Sequence, residues 1–129
     1  THLHNVYRSL DICRLPMLWV GPVLKKDYAG KEISTLCSQV DIAKTLLHQF
    51  GLPASDFIWS KDIFDSEVQR FALRTVDDGF GLKTPQGEYY YNIDEKRYYY
   101  NTFPKALQDS MGKVGRAYMQ VHVQKFSRQ

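Results

Sequence analysis

The sequence predicts an α/β fold, which as an isolated piece reads as α+β. A core strand and a helix come first, followed by small antiparallel strands and a C-terminal helix. Three observations carry this prediction. One segment has a capping residue, a helical apolar period and a glycine stop. A later stretch alternates in the manner of strands and is cut by turn residues. The last segment repeats apolar residues at helical spacing.

Residues 15–20, Leu-Pro-Met-Leu-Trp-Val, form an apolar run closed by Gly21-Pro22. So continuous a run suits a buried central strand, with Pro16 at its start, where a missing N–H does least harm. A polar connection over 23–37 leads to Ser38, which can cap a helix. Asp41, three residues on, completes a capping-box-like pair. Val40, Ala43, Leu47 and Phe50 then recur at helical spacing, so 39–50 is expected to pack one apolar face on the same sheet. Gly51 supplies the stop and Pro53 lies just beyond. Residues 54–69 read as a loop with at most one short helical turn.

From Arg70 to Asn101 the pattern changes. Phe71, Leu73 and Thr75 alternate with Ala72, Arg74 and Val76, and Asp78-Gly79 and Pro85-Gln86-Gly87 supply turns. Residues 88–93 and 97–101 flank Asp94-Glu95-Lys96 and should form a hairpin. From about Lys105 a helix carries the stripe Leu107, Met111, Val114, Tyr118 and Val121. Gly112 and Gly115 should weaken it by roughly 1 kcal/mol each relative to Ala.

Composition narrows the functional classes. The chain has 129 residues and 43% hydrophobic content, enough for one domain with a real core. Net charge is +3, with basic residues scattered, which argues against a nucleic-acid partner. No apolar run approaches the roughly 20 residues that span a bilayer, and no signal peptide is present. The first residue is Thr, so the chain is expected to begin inside a longer gene product. Cys13 and Cys37 are too few for a disulfide scaffold. They suit either a single bridge or two small buried thiols.

No complete active site is visible: there is no phosphate-binding glycine loop, GxSxG, HExxH or CxxC. His2 and His4 are the one close histidine pair, able to share a metal or touch an anionic substrate, or simply solvated near the start. Asp41 suits capping better than catalysis. His48 and His122 read as surface or packing residues. The runs Tyr89-Tyr90-Tyr91 and Tyr98-Tyr99-Tyr100 offer a stacking surface, although alternation should send about half of the rings into the core.

Arg14-Leu-Pro-Met-Leu-Trp-Val-Gly-Pro, then Ser38-Gln-Val-Asp-Ile-Ala-Lys-Thr-Leu-Leu and Phe50-Gly51-Leu52, resemble a segment of the sulfatase/alkaline-phosphatase superfamily. The similarity is to its lipoteichoic acid synthase-like and phosphoethanolamine transferase-like members, after their Asp-His-Gly metal motif. Lys44 stands where that pattern has proline. Phe71-Ala72-Leu73, Asp77-Asp78-Gly79-Phe80-Gly81 and the tyrosine strands resemble the C-terminal strands of the lipoteichoic acid synthase-like branch.

The resemblance covers roughly residues 2–101. It implies that 1–129 is the C-terminal fragment of a larger metal-dependent hydrolase or transferase acting on sulfate or phosphate esters. The nucleophile and the ligands for zinc, manganese, magnesium or calcium would lie upstream, so no catalytic or metal residue and no cofactor is expected in this fragment. The parent would work at the extracytoplasmic face of a bacterial membrane or in the periplasm. Thr1-His2-Leu3-His4-Asn5 resembles the segment where relatives place a substrate-facing histidine, which makes His4, and less directly His2, the substrate-binding candidates. The expected partners are the remainder of the parent domain and a second copy of the chain. Two other readings stand beside this one. One is a self-standing, non-catalytic α+β binding or interaction module with the tyrosine sheet as its contact face. The other is a small enzyme built on His2, His4 and a carboxylate.

Overall fold

The computed structural model describes residues 9–22 and 24–127. Its regular elements are α1 (Asp41–Gln49), β1 (Ala72–Val76), β2 (Gly79–Thr84), β3 (Gly87–Asn92), β4 (Arg97–Asn101) and α2 (Lys105–Phe126), with short 3-10 turns at Leu10–Cys13 and Lys26–Tyr28. The fold is mixed α+β, with one four-stranded antiparallel sheet in the order β1-β2-β3-β4. The chain divides into two compact units. One joins the segment ending at Arg14 to the segment starting at Leu73; the other is Leu15–Ala72.

The first unit is a meander whose turns fall where the turn residues stand. β2 and β3 meet around Pro85-Gln86, with Thr84 opposite Gly87 and Gly79 opposite Asn92. β3 and β4 join through Asp94-Glu95-Lys96, where Lys96 takes a left-handed φ of 54°. A register shift between Tyr90 and Tyr91 leaves Tyr90 opposite Tyr100 and Tyr91 opposite Tyr98. Pairing places Phe80, Leu82, Tyr89, Tyr91 and Tyr98 on one face and Gly79, Gly81, Tyr90 and Tyr100 on the other.

α2 covers the first face, and its inner side is centred on two glycines rather than on the apolar stripe. Gly112 and Gly115 are buried, whereas Val114 and Val121 are about half exposed, at 52% and 50%. A Cβ on Gly115 would strike the Tyr89 hydroxyl, and one on Gly112 the Tyr98 hydroxyl. The two glycines therefore admit the tyrosine rings beneath the helix, and their cost to helix propensity is offset by packing. Leu10 caps the opposite face over Gly81.

In the second unit the predicted strand at 15–20 does not form. Leu15, Met17, Leu18 and Val20 are 63%, 47%, 86% and 82% exposed. Only Trp19 turns partly inward, edge-on to Phe64, which also stacks on Tyr28 at 3.9 Å between centroids. A continuous apolar run reports that burial is favourable but not what buries it, and among the described residues of this unit no strand lies alongside.

α1 forms where predicted and ends as predicted. Gly51, with φ 70°, donates its N–H to the His48 carbonyl and Leu52 donates to the Leu47 carbonyl, the paired bonds of a Schellman stop. The predicted burial is corrected, however. Val40 and Phe50 are 49% and 57% exposed, while Asp41, Thr45 and Gln49 are buried. The helix is anchored through its polar side.

Candidate functional site

The side chains that hold α1 form a polar cluster in the second unit. Asp41 is fully buried. Its Oδ2 accepts the Ser38 N–H at 2.8 Å, the reach-back arm expected of a capping box. Its Oδ1 accepts the Lys61 N–H at 2.8 Å and the Lys61 ammonium at 3.0 Å. That ammonium also lies 2.9 Å from Oδ2 and 3.8 Å from the centre of the Phe71 ring.

One turn on, Thr45 Oγ1 donates to the Asp41 carbonyl at 2.6 Å and accepts the Ile63 N–H at 3.0 Å. Ser60 Oγ accepts the Lys44 N–H at 2.9 Å, so the loop satisfies a first-turn amide that the helix leaves open. The capping role of Asp41 is thus explicit. Three donors, the Ser38 and Lys61 amides and the Lys61 ammonium, surround its two oxygens.

His48 sits near the other end of α1. Its Nδ1 lies 2.8 Å from Asp62 Oδ2, and Asp62 Oδ1 accepts the Phe64 N–H at 3.0 Å. The carboxylate fixes the ring and directs Nε2 away from the bond, with the imidazole 43% exposed. Among the described residues, no group of three or more His, Cys, Asp or Glu side chains is placed to hold a metal. The sequence signalled the Ser38–Asp41 pair but not the partners Lys61 and Asp62, which lie in an irregular loop whose spacing from α1 follows no period.

A second polar group sits on the sheet. Lys83 Nζ bridges Asp11 at 2.9 Å and Glu88 at 2.6 Å, and Glu88 Oε1 accepts the Leu10 N–H at 3.2 Å. Burial works to lower the Lys83 pKa, but the bonds to the two carboxylates outweigh it and hold the ammonium above the usual lysine range. The same bond holds Asp11 below the usual carboxylate range. Beside this triad a shallow cleft of about 330 Å³ runs along the β2–β3 turn to Thr102. Its two charged residues already pair with one another.

Of the six tyrosines in the two runs, two are buried and four are half-buried. Tyr89 and Tyr90 are wholly buried. Tyr89 packs edge-on to Phe80 and Tyr98, at 6.0 and 5.2 Å between centroids, and its hydroxyl donates to the Met111 carbonyl. Tyr90 donates to Asp78 at 2.6 Å. Tyr99 lies under the Arg97 guanidinium, 4.6 Å from its ring centre. Burial pushes the Tyr89 and Tyr100 phenols well above their usual range.

His2 and His4, the substrate-binding candidates from sequence, lie outside the described residues. His122 is half-buried on α2. Cys13 and Cys37 are free thiols, one in each unit, and burial raises the Cys37 pKa. No helix among the described residues is long and apolar enough to cross a membrane. Comparisons with protein families, with curated proteins and with solved structures found no match.

Proposed function

We propose that this chain is the C-terminal portion of a metal-dependent sulfatase- or phosphotransferase-like hydrolase acting on sulfate or phosphate esters, and that it is inactive without the rest of that protein. The observation that carries the proposal is the exposure of 15–20. Four large apolar side chains of one six-residue run face solvent, up to 86% for Leu18. Such exposure marks a surface made to be covered. A run that reads as an inner strand and finds no sheet among the described residues of its own unit fits a strand whose neighbours belong to the remainder of a parent domain. The sulfatase-like pattern of 14–22 and 38–52 names that parent.

α1 supports the reading in a second way. Its polar side is satisfied within the unit, and its apolar Val40 and Phe50 are turned outward. In this proposal the upstream remainder supplies the nucleophile and the metal ligands, His4 and His2 face the substrate, and the parent acts outside the bacterial cytoplasm. The burial of Tyr89 and Tyr90 takes support away from the tyrosine sheet as a free contact face.

Sequencing the reading frame upstream of Thr1 tests the idea, together with p-nitrophenyl sulfate and phosphate assays in Zn²⁺, Mn²⁺ or Mg²⁺. We expect an upstream metal-binding segment, turnover by the full gene product and none by residues 1–129. A reading frame that opens immediately before Thr1, or turnover by this chain that is lost on His4→Ala, overturns the proposal.

A further inference from the structure

The apolar stripe of α2 lies on the flank of the helix, and it keeps a heptad spacing. Leu107, Met111, Val114, Tyr118 and Val121 recur at intervals of four, three, four and three, the a/d repeat that packs one helix against another. Leu107, Met111 and Tyr118 are half-buried, while Val114 and Val121 are 52% and 50% exposed. The seam is therefore covered on one side by its own unit and open on the other.

The charges on α2 bear on what could close it. In this register the positions on the open side are Ser110, Ala117 and Gln124, all uncharged. Lys113 pairs with Asp109 at 2.7 Å, and Arg116 donates to the Tyr98 hydroxyl at 2.9 Å, both away from the seam. A seam that selects a different partner does so through charges at its flanks. Neutral flanks, by contrast, let a helix meet its own copy without like-charge repulsion.

We propose that this stripe docks a second copy of the chain, α2 against α2, antiparallel about a two-fold axis that crosses the seam at the level of residues 116–117, beside Ala117. Antiparallel pairing sets Val114 opposite Tyr118, Met111 opposite Val121, and the Lys125 stem along Leu107. A parallel pair would set Lys125 against Lys125. The antiparallel order also brings opposite ends of the two helix dipoles together. Two heptads fall short of the roughly 800 Å² per partner of a standard interface, so the dimer dissociates on dilution. The inference does not depend on the ester-hydrolase reading.

Sedimentation velocity over a wide concentration range tests it on the intact chain. We expect a monomer–dimer equilibrium that Val114→Glu weakens at least about tenfold, and that Val123→Glu, at an exposed position off the seam, leaves unchanged. Ala117 lies beside the axis and meets its own copy, so Ala117→Glu and Ala117→Lys should each weaken the dimer and their equimolar mixture should restore it. Circular dichroism confirms that each variant folds. A monomer at every concentration, a dimer indifferent to Val114→Glu, or a mixture no tighter than its components overturns the proposal.

Discussion

The wholly buried ring of Tyr89 lies against the backbone of Gly115, so close that a methyl group on that glycine would collide with the phenolic oxygen. This contact decides the sign of a substitution that helix propensity alone gets wrong. Gly115→Ala should gain about 1 kcal/mol of propensity, but overpacking a filled site costs about 1–3 kcal/mol, and Tyr89 is hemmed in by Phe80, Tyr98 and Phe103. We expect net destabilisation in urea denaturation. In the Tyr89→Phe background, which removes the colliding oxygen, the penalty of Gly115→Ala should shrink. An unchanged penalty would place the obstruction elsewhere.

The anchoring of α1 makes a second contrast. Asp41→Ala leaves the Lys61 ammonium, 15% exposed, beside a vacated site and strips an acceptor from the Ser38 and Lys61 amides. Removing one member of a buried ion pair costs about 3–5 kcal/mol. Phe50→Asp changes a residue 57% exposed and should stay within about 0.5 kcal/mol. Chemical denaturation of the two variants gives the order directly; the reverse order would show that the apolar side holds the helix.

These outcomes show how much of the fold could be read in the sequence. The strands were legible because Asp78-Gly79, Pro85-Gln86-Gly87 and Asp94-Glu95-Lys96 interrupt the chain where a hairpin must turn. α1 was legible in extent, through Gly51, but not in orientation. Apolar spacing assumes that the apolar side is the inner one, and here Asp41 and Thr45 find their partners in the irregular segment 60–63. The run at 15–20 misled for a related reason, since periodicity carries no information about neighbours. The His48–Asp62 contact joins a helix to a loop fourteen residues away and left no pattern to find.

The Lys83 triad predicts a particular pH dependence. Asp11 has a folded pKa below its ordinary value, so its contribution is complete above the unfolded value of about 3.9 and fades as pH falls through the folded one. Lys83 has a raised folded pKa, so its contribution is complete below about 10.4 and fades as pH rises beyond the folded value. Asp11 is 64% exposed, and solvent screening limits its share to at most about 1 kcal/mol. Asp11→Asn should therefore flatten the acid limb of the stability–pH curve slightly and leave the alkaline limb to the Lys83–Glu88 pair. A curve that matches the parent at low pH would remove Asp11 from the tie.

Tyr90 and Tyr100 stand opposite one another on β3 and β4, yet their hydroxyls should respond in opposite ways. The Tyr90 hydroxyl donates to the Asp78 carboxylate at 2.6 Å, and Asp78 also accepts from Asn92 Nδ2 at 2.8 Å. Hydrogen bonds to charged groups contribute about 1.5–3 kcal/mol, so Tyr90→Phe should destabilise by that order. The Tyr100 hydroxyl is buried with no hydrogen-bond partner among the described residues. A buried polar atom without a partner costs about 1–3 kcal/mol, so Tyr100→Phe should leave stability unchanged or raise it. Both substitutions keep the ring, so packing is preserved and only the hydroxyl is tested. Parallel thermal and urea unfolding of the two variants reads the contrast. A loss at Tyr100 equal to that at Tyr90 would mean that its hydroxyl holds a bound water in solution.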